Sequence, residues 1–526
     1  MTPDPGAAPG AASHPLVEPI AGPGSSQAQR ASLFDRWGLR WPIPGTVLLG
    51  LAGSVLLAVM AVGAGGILVN DPLIGGGALS WIRYGHGHDL ATVGLYLGVG
   101  MIVWAWVRLG REVLGGTATS HQVIVAGAAW VVPLLLSPPL FTRDVYSYLA
   151  QGALAARGLD PYLVGPSKLP PGAVFDNVHY VWQTTPAPYG PLFIFIAKMI
   201  SIATGNHLIL GVLGMRLVLL IGLALLIFAL PRLAQRLGGN PTVALWLVIT
   251  NPLTVVHLVG GPHNDLLMTG LLAMGTWLVL ERRHAAGIAL GTMAMAIKVS
   301  AGVALPFLVW IWAARLPGSR RVRLMRAGAA SMAVFATMFA GITVISGVGL
   351  GWVPALGAPS LIVNWMSLPT AAGELAHALV TPFGQVDDHP FIMVFRLLGS
   401  ALFLGIFAWQ WWLAREGGPQ AISRASATLL WAALLAPATL PWYLSWALVL
   451  GALGPWPRRT LAWVVAGSTW LVVCTYPTGE SAFTAWPYQL GMVAVSLIAA
   501  ASLLCPDPLH LRRCVPSIEQ VTASPR

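Results

Sequence analysis

The chain has 526 residues, of which 56% are hydrophobic and only 9% are charged. Soluble domains carry about 25% charged residues, so this composition excludes an ordinary globular enzyme. The formal net charge is +11, but the arginines lie in short loops between apolar runs, a pattern that orients membrane helices. The sequence therefore predicts an all-α, polytopic membrane protein with membrane lipids, and no nucleic acid, around it.

The first part of the chain predicts a cytosolic tail followed by three spans. Residues 1–40 are rich in Pro, Ala, Gly and Ser and are interpreted as a disordered tail. Arg30, Arg36 and Arg40 place this tail in the cytosol. The three spans are predicted at Ile43–Val69, Leu90–Val107 and His121–Leu140. By this count the next segment, Phe141–Gly190, lies outside the plasma membrane.

The remaining apolar runs bring the expected total to about 13–14 transmembrane helices. Pro191–Thr204 is short and contains Lys198, so it is interpreted as an interfacial or re-entrant helix. Further runs are predicted at Leu208–Leu230, Thr242–Val259, Leu266–Leu280, His284–Ile297, Ala301–Ala314, Phe391–Ala414, Leu429–Pro437 and Trp442–Leu453, with another before Gly347 and two after Arg459. Residues 41–504 then form one transmembrane catalytic domain, and residues 505–526 form a cytosolic C-terminal tail.

The external segment Phe141–Gly190 contains six charged residues, Arg143, Asp144, Arg157, Asp160, Lys168 and Asp176, between apolar runs on both sides. Within it, the apolar residues of Asp144–Arg157 recur at helical spacing, which predicts an amphipathic helix lying against the membrane bundle. Asp144 and Tyr148 are one turn apart and share a face. With the interfacial helix that follows, residues 141–204 are predicted to be an external catalytic loop.

Four polar motifs are predicted to lie on the same outer face of the membrane. They are the charged loop itself, the tripeptide His263–Asn264–Asp265, the hairpin tip at Lys298 and the turn Pro441–Trp442–Tyr443. The arginines that set this topology belong to none of these motifs. The sequence therefore predicts that the four motifs meet in one site.

These motifs resemble those of a known family. The stretches RDVYSYLAQGALAARGLDPYLVGP, TTPAPYGPLF, GPHNDLLM, AIKVSAGVALPF and LPWYLSW are similar to actinobacterial polyprenyl-phosphate-mannose-dependent α-1,6-mannosyltransferases of lipomannan and lipoarabinomannan synthesis. The resemblance implies a GT-C glycosyltransferase fold, a lipid-linked mannose donor, a lipid-anchored mannan acceptor and inversion at the anomeric carbon. It also implies that Asp144, which opens the external loop, is the catalytic base.

The chemistry of sugar transfer from a lipid phosphate assigns roles to further residues. A base removes the acceptor proton, cations hold the departing phosphate, and polar or aromatic groups orient the sugar. Asp144 could instead cap the loop helix or pair with Arg143. The candidate phosphate-binding residues are Arg143, Lys198, Lys298 and Arg396. The candidate sugar- or acceptor-binding residues are Tyr146, Tyr148, Gln151, Tyr189, His263, Asn264, Asp265, Trp442 and Tyr443.

The alternatives to these roles are structural. Lys198, Lys298 and Arg396 could extend their charged ends to the membrane interface, and aromatic residues are common at that interface without any substrate. No metal or other cofactor is expected, because one His and one Asp do not make a transition-metal site; a divalent cation remains an alternative.

The sequence thus predicts an inverting membrane mannosyltransferase whose termini are cytosolic and whose active site is external. The first alternative is a GT-C transferase for another polyprenyl-linked sugar, such as arabinofuranose. The second is a lipid-linked sugar flippase or transporter, for which inverted repeats and polar sites at the membrane midplane would be expected. The oligomeric state is not indicated by the sequence.

Overall fold

The computed structural model describes residues 44–509 apart from 72–76, 79, 385, 481–484 and 506–507. The described residues form helices and no β-strand, which confirms the all-α polytopic prediction. The tail predicted at 1–40, with Arg30, Arg36 and Arg40, lies outside the described part, as does most of the tail predicted at 505–526.

The structure contains the following α-helices of eight or more residues, with longer connections before Gly85, Pro191 and Leu368. In order they are α1 (Gly45–Ala64), α2 (Gly85–Leu114), α3 (Ser120–Val131), α4 (Asp144–Ala156), α5 (Pro191–Ala203), α6 (Leu208–Arg236), α7 (Pro241–Val248), α8 (Asp265–Leu280), α9 (His284–Ile297), α10 (Leu305–Ala313), α11 (Arg320–Ser346), α12 (Leu368–Val380), α13 (His389–Leu413), α14 (Gly418–Leu435), α15 (Leu444–Gly451), α16 (Arg458–Val473) and α17 (Trp486–Leu504). A π-helical segment, Leu253–Gly260, lies between α7 and α8.

Within the described residues, six helices are long and apolar enough to cross a membrane: α1, α2, α6, α11, α13 and α17. A seventh crossing results if α7 and the π-helical segment count as one bent span. Several apolar helices are shorter, and α5, with 13 residues, is only about 20 Å long against a hydrocarbon core of about 30 Å. The total of 13–14 spans therefore stays a prediction.

The run predicted as one span over Thr242–Val259 is broken in the structure. Pro252 has no backbone N–H to donate, and the two halves meet at an angle of 51°. The side chain of Asn251 replaces the lost helical bonds by donating to the carbonyl of Leu247 (3.0 Å) and accepting from the N–H of Leu253 (2.9 Å). This break turns the chain toward the His263 tripeptide.

The predicted loop helix is present as α4, but it has no exposed polar face, because it is buried on all sides. Every side chain from Val145 to Ala155 is buried. One side packs on α5, and the other is covered by the remainder of the loop, including Leu169 and Val178. The helix is therefore enclosed between the bundle and its own loop, which fixes the direction of Asp144 at its first turn.

The polar motifs and the arginine clusters lie at opposite ends of the helices. Asp265 begins α8, and Glu281, just beyond its end, pairs with Arg236 at the end of α6 (2.7 Å). Likewise α9 ends at Ile297, beside Lys298. One end of the bundle thus collects the predicted catalytic residues.

We expect Gly152 to be required for the contact between α4 and α5. A Cβ at this position would collide with the backbone carbonyl of Ala197, so Gly152→Ala should lower the stability of the detergent-solubilised protein by about 1–3 kcal/mol. Gly100→Ala is the matched control, because a Cβ there meets nothing within 4 Å. Thermal unfolding of both variants tests this, and equal melting temperatures would contradict it.

Candidate active site

Asp144 is the first residue of α4, where a negative charge is favoured by the helix dipole. Its backbone N–H donates to Oγ1 of Thr142 (3.1 Å), which starts the helix. The carboxylate neither caps the helix nor pairs with Arg143, so the structural alternatives raised by the sequence do not apply. Its side chain is 19% exposed, and it is therefore accessible to a ligand.

His263 lies directly behind this carboxylate. Its Nδ1 is 3.7 Å from Oδ2 of Asp144 and 3.5 Å from the hydroxyl of Tyr148. The imidazole is stacked on the Trp442 ring, with centroids 3.5 Å apart and an interplanar angle of 21°. Because the His263 side chain is fully buried, it contacts Asp144 from the protein side and is not exposed to a sugar.

Asp265 forms an ion pair with Lys298. Both of its carboxylate oxygens accept hydrogen bonds from Nζ of Lys298, at 3.0 and 2.9 Å. The indole N–H of Trp446 donates to Oδ1 of Asp265 at 2.5 Å. The ammonium group also lies over the rings of Tyr443 (4.6 Å) and Trp446 (5.4 Å), an arrangement typical of cation–π contacts.

Two cavities meet at Asp144. The first, here called the lysine cavity, has a volume of about 230 Å³ and is lined by Tyr189, Lys298, Ser300, Tyr443 and mainly apolar side chains. The second, the glutamate cavity, has a volume of about 300 Å³. Its polar lining includes Arg143, His179, Asn364 and Glu480. The residues shared by both cavities are Asp144, Trp182, Ile362, Leu440 and Trp442.

The surroundings of Asp144 change its acidity. Burial raises the pKa of this carboxyl from 3.8 to about 6, the Lys298 ammonium opposes the rise, and the Asp265 carboxylate adds to it. A carboxylate with a pKa near 6 is a stronger base than an exposed one and is still deprotonated at neutral pH.

Some predicted site residues have other contacts. The guanidinium of Arg143 donates to the carbonyls of Ile67 (2.9 Å) and Asn177 (3.2 Å), which fastens the loop. The hydroxyl of Tyr146 donates to the carbonyl of Gly66, on the side facing a different cavity. Both residues therefore secure the loop to the segment after α1, although Arg143 also borders the glutamate cavity.

Lys198 and Arg396 line neither cavity. Lys198 lies beside Gly347 at the end of α11. Arg396 donates to the carbonyls of Ser360 (2.6 Å) and Ile362 (2.8 Å), and so it supports a segment that does line both cavities. Their predicted contact with phosphate has no geometric support.

Gln151 and Asn264 are buried amides beside the site. Oε1 of Gln151 and both polar atoms of the Asn264 side chain have no hydrogen-bond partner among the described residues. Neither side chain lines the two cavities.

Within the described residues, no three His, Cys, Asp or Glu side chains are grouped to hold a metal ion.

The sequence analysis assigned no role to several residues that line the site, among them Trp446, Glu480 and Trp182. Trp446 lies one turn after Trp442, and this helical spacing could have indicated it. Glu480 is an acid in an apolar region without other charges nearby, which is a weak signal. Trp182 follows no pattern, because only the folding of the loop over α4 brings it beside Asp144.

Comparison with known proteins identifies the family. Residues 47–314 match the family described as alpha-(1->6)-mannopyranosyltransferase, N-terminal domain, and residues 369–505 match the MptB C-terminal domain. The alpha-(1->6)-mannopyranosyltransferase A of Mycobacterium tuberculosis is 42% identical over 87% of this chain and 89% of its own length.

More distant relatives agree with this. The alpha-(1->6)-mannopyranosyltransferases A and B of Corynebacterium glutamicum are 31% and 30% identical, over 85% and 82% of this chain and 94% and 76% of their own lengths. No solved structure matches the chain. The resemblance seen in the sequence motifs is therefore confirmed, and the chain belongs to the alpha-(1->6)-mannopyranosyltransferase family.

Proposed function

We propose that this protein transfers mannose from polyprenyl-phosphate mannose to a lipid-anchored α-1,6-mannan at the outer face of the plasma membrane, with inversion at the anomeric carbon. The observation that carries the proposal is the position of Asp144, a carboxylate shared by two cavities with a partly buried lysine, Lys298, in the wall of one. The names of the relatives support mannose as the sugar over arabinofuranose.

The lysine cavity has the properties required of a donor site. Its apolar walls, which include Leu356, Ala432 and Ala436, suit a prenyl chain, and Lys298 supplies a cation for the phosphate. When the bond from C1 of the sugar to the phosphate oxygen breaks, the electron pair goes to the phosphate, and the nearby ammonium stabilises the added charge. Such a leaving group needs no proton, so no general acid is required.

The glutamate cavity has the properties required of an acceptor site. Its side chains Asn364 and Glu480 can bond sugar hydroxyls, and the Trp442 ring can stack on a pyranose face. A hydroxyl placed between Asp144 and C1 of the donor loses its proton to Asp144 as its oxygen bonds to C1. Attack from the face opposite the phosphate inverts the configuration.

His263 and Asp265 then have supporting roles instead of binding sugar. His263 limits the movement of the Asp144 carboxylate, and Asp265 holds the Lys298 ammonium at the cavity wall. Tyr189 and Tyr443 border the lysine cavity and are in position to contact the mannose. Tyr148 instead contacts His263 through its hydroxyl.

The outer-face location is supported by charge. The arginine clusters at the far end of the helices, such as Arg320 with Glu416, are typical of the cytosolic side. The site would then open away from the cytosol, with both termini inside. A transporter would need polar sites at the midplane with access from both sides, whereas this site lies at one end.

The first experiment measures mannose transfer in membranes from labelled polyprenyl-phosphate mannose to a short α-1,6-mannoside. Asp144→Asn should reduce kcat by about 10²–10⁴-fold, because the amide cannot take the proton. Asp89→Asn is the matched control, since that side chain is 75% exposed. Near-normal transfer by Asp144→Asn would remove the base assignment, and donor binding or flipping without transfer by the intact protein would favour a transporter.

The pH dependence of transfer provides a second test. The base is active only when deprotonated, and its pKa is raised to about 6. We therefore expect kcat to be constant at neutral pH and to fall about tenfold per unit below pH 6. If kcat instead began to fall only near pH 4, where an exposed Asp titrates, Asp144 would not be the titrating base.

A third test separates the catalytic role of Lys298 from its structural role. Lys298→Met should lower kcat by about 10²-fold or more and should also lower the melting temperature, since Asp265 then carries a buried, unpaired charge. The double variant Lys298→Met/Asp265→Asn should recover the melting temperature but not kcat. Recovery of both would mean that Lys298 serves only to neutralise Asp265.

We further propose that no metal is needed, because Lys298 supplies the positive charge at the phosphate. Transfer should then persist at an unchanged rate after dialysis against EDTA, with added Mg²⁺ or Mn²⁺ as the control. Loss of transfer that either ion restores would contradict this.

A further inference from the structure

Arg216 is a buried cation in the membrane-spanning helix α6. Its side chain lines neither of the two cavities at Asp144, and the residue is only 2% exposed. Charges within a membrane span are costly and normally have a partner. The hydrogen-bond partners of Arg216 among the described residues are backbone carbonyls and the hydroxyl of Ser137, and none is a carboxylate.

These carbonyls come from two separate segments. From the first, Leu135 and Ser137 accept hydrogen bonds from Nη1 at 3.0 and 2.5 Å. From the second, Gly260 accepts from Nη2 at 2.7 Å and Val259 accepts from Nε at 3.3 Å. A planar guanidinium with several fixed donors can join two segments in this way, whereas a single ammonium cannot reproduce the geometry.

Both segments are the C-terminal ends of helices. The first follows the 3₁₀ turn Val132–Leu136, and the second closes the π-helical segment Leu253–Gly260. Carbonyls at a helix end lack intrahelical partners and carry the negative end of the helix dipole. Two such ends therefore provide the negative potential that a carboxylate would otherwise supply to Arg216.

Each of these ends leads directly into the active site. The first continues through Phe141 to Asp144, and the second continues to His263. Between them, the N–H of Leu140 donates to the carbonyl of Gly260 (3.2 Å). Phe141 has a φ of 54°, a conformation that a bulky side chain rarely adopts, so the turn toward Asp144 must be held by its surroundings.

We propose that Arg216 is a positioning residue that fixes the Asp144 segment against the His263 segment by binding the carbonyl ends of both. Its loss would let the two segments separate, and the base would leave the position in which it reaches the acceptor hydroxyl. The first test below measures mannose transfer and so rests on the proposed function. The second measures how close residues 140 and 260 lie and does not depend on that function.

The first measurement is mannose transfer by Arg216 variants. Arg216→Ala should lower kcat by about 100-fold, as expected for a displacement of about 1 Å at a catalytic group. KM should change little, because Arg216 lines neither cavity. Arg216→Lys should retain part of kcat, since an ammonium can bind some of the carbonyls. Arg232→Ala, at the exposed end of the same helix, is the matched control and should behave as wild type.

The second measurement replaces the guanidinium by a covalent link. A Cβ built on Gly260 lies 3.4 Å from Cβ of Leu140, close to the range of about 3.5–4.5 Å that a disulfide spans. The pair Leu140→Cys/Gly260→Cys should crosslink rapidly when Arg216 is present and at least tenfold more slowly in Arg216→Ala. Once formed, the disulfide should restore most of the kcat lost in Arg216→Ala, and a reductant should abolish that recovery.

Several results would overturn the proposal. One is near-normal kcat in Arg216→Ala, and another is an unchanged crosslinking rate. A third is a formed disulfide that leaves Arg216→Ala inactive while the same disulfide leaves the Arg216 protein active. If Arg216→Ala does not fold, Arg216→Lys takes its place in both measurements. Failure of the wild-type protein to transfer mannose would refute the proposed function alone, since the crosslinking rate reports the separation of the segments without substrate.

Discussion

Two charges of opposite sign are held by one short turn of the chain. His263 contacts the Asp144 carboxylate, and two residues later Asp265 binds the Lys298 ammonium. Because both contacts come from the same turn, the separation of the anion and the cation depends on the conformation of residues 263–265. The other features of the site serve to hold this turn: the bend at Pro252 directs it, Arg216 fastens it, and Trp442 stacks on it.

Much of this arrangement could be predicted from the sequence. Hydropathy gave a helical membrane protein, and the arginine pattern placed the loop, the His263 tripeptide, Lys298 and the Pro441–Tyr443 turn together, as the structure has them. Such predictions succeed because the bilayer forces backbone groups into helices and permits few topologies. The family resemblance confirmed by the comparisons adds the reaction class, which neither hydropathy nor charge could indicate.

The roles of individual residues were harder to predict. His263 and Asp265 are polar residues in a turn between two apolar runs. Sequence alone cannot distinguish a side chain that faces substrate from one that supports it, because that depends on which helix covers it. Arg143 and Arg396, which were predicted to bind phosphate, donate to backbone carbonyls, so a phosphate contact stays a prediction for both. The break at Asn251–Pro252 was overlooked because the apolar run continues on both sides of it, although Pro252 offered a signal.

Trp442 has a further consequence for how two ligands would influence each other. Its indole stacks on His263 and forms part of the wall of both cavities. A ligand in one cavity that shifted this ring would change the wall of the other cavity. Any coupling of this kind is reciprocal, because each ligand would then change the affinity for the other by the same factor.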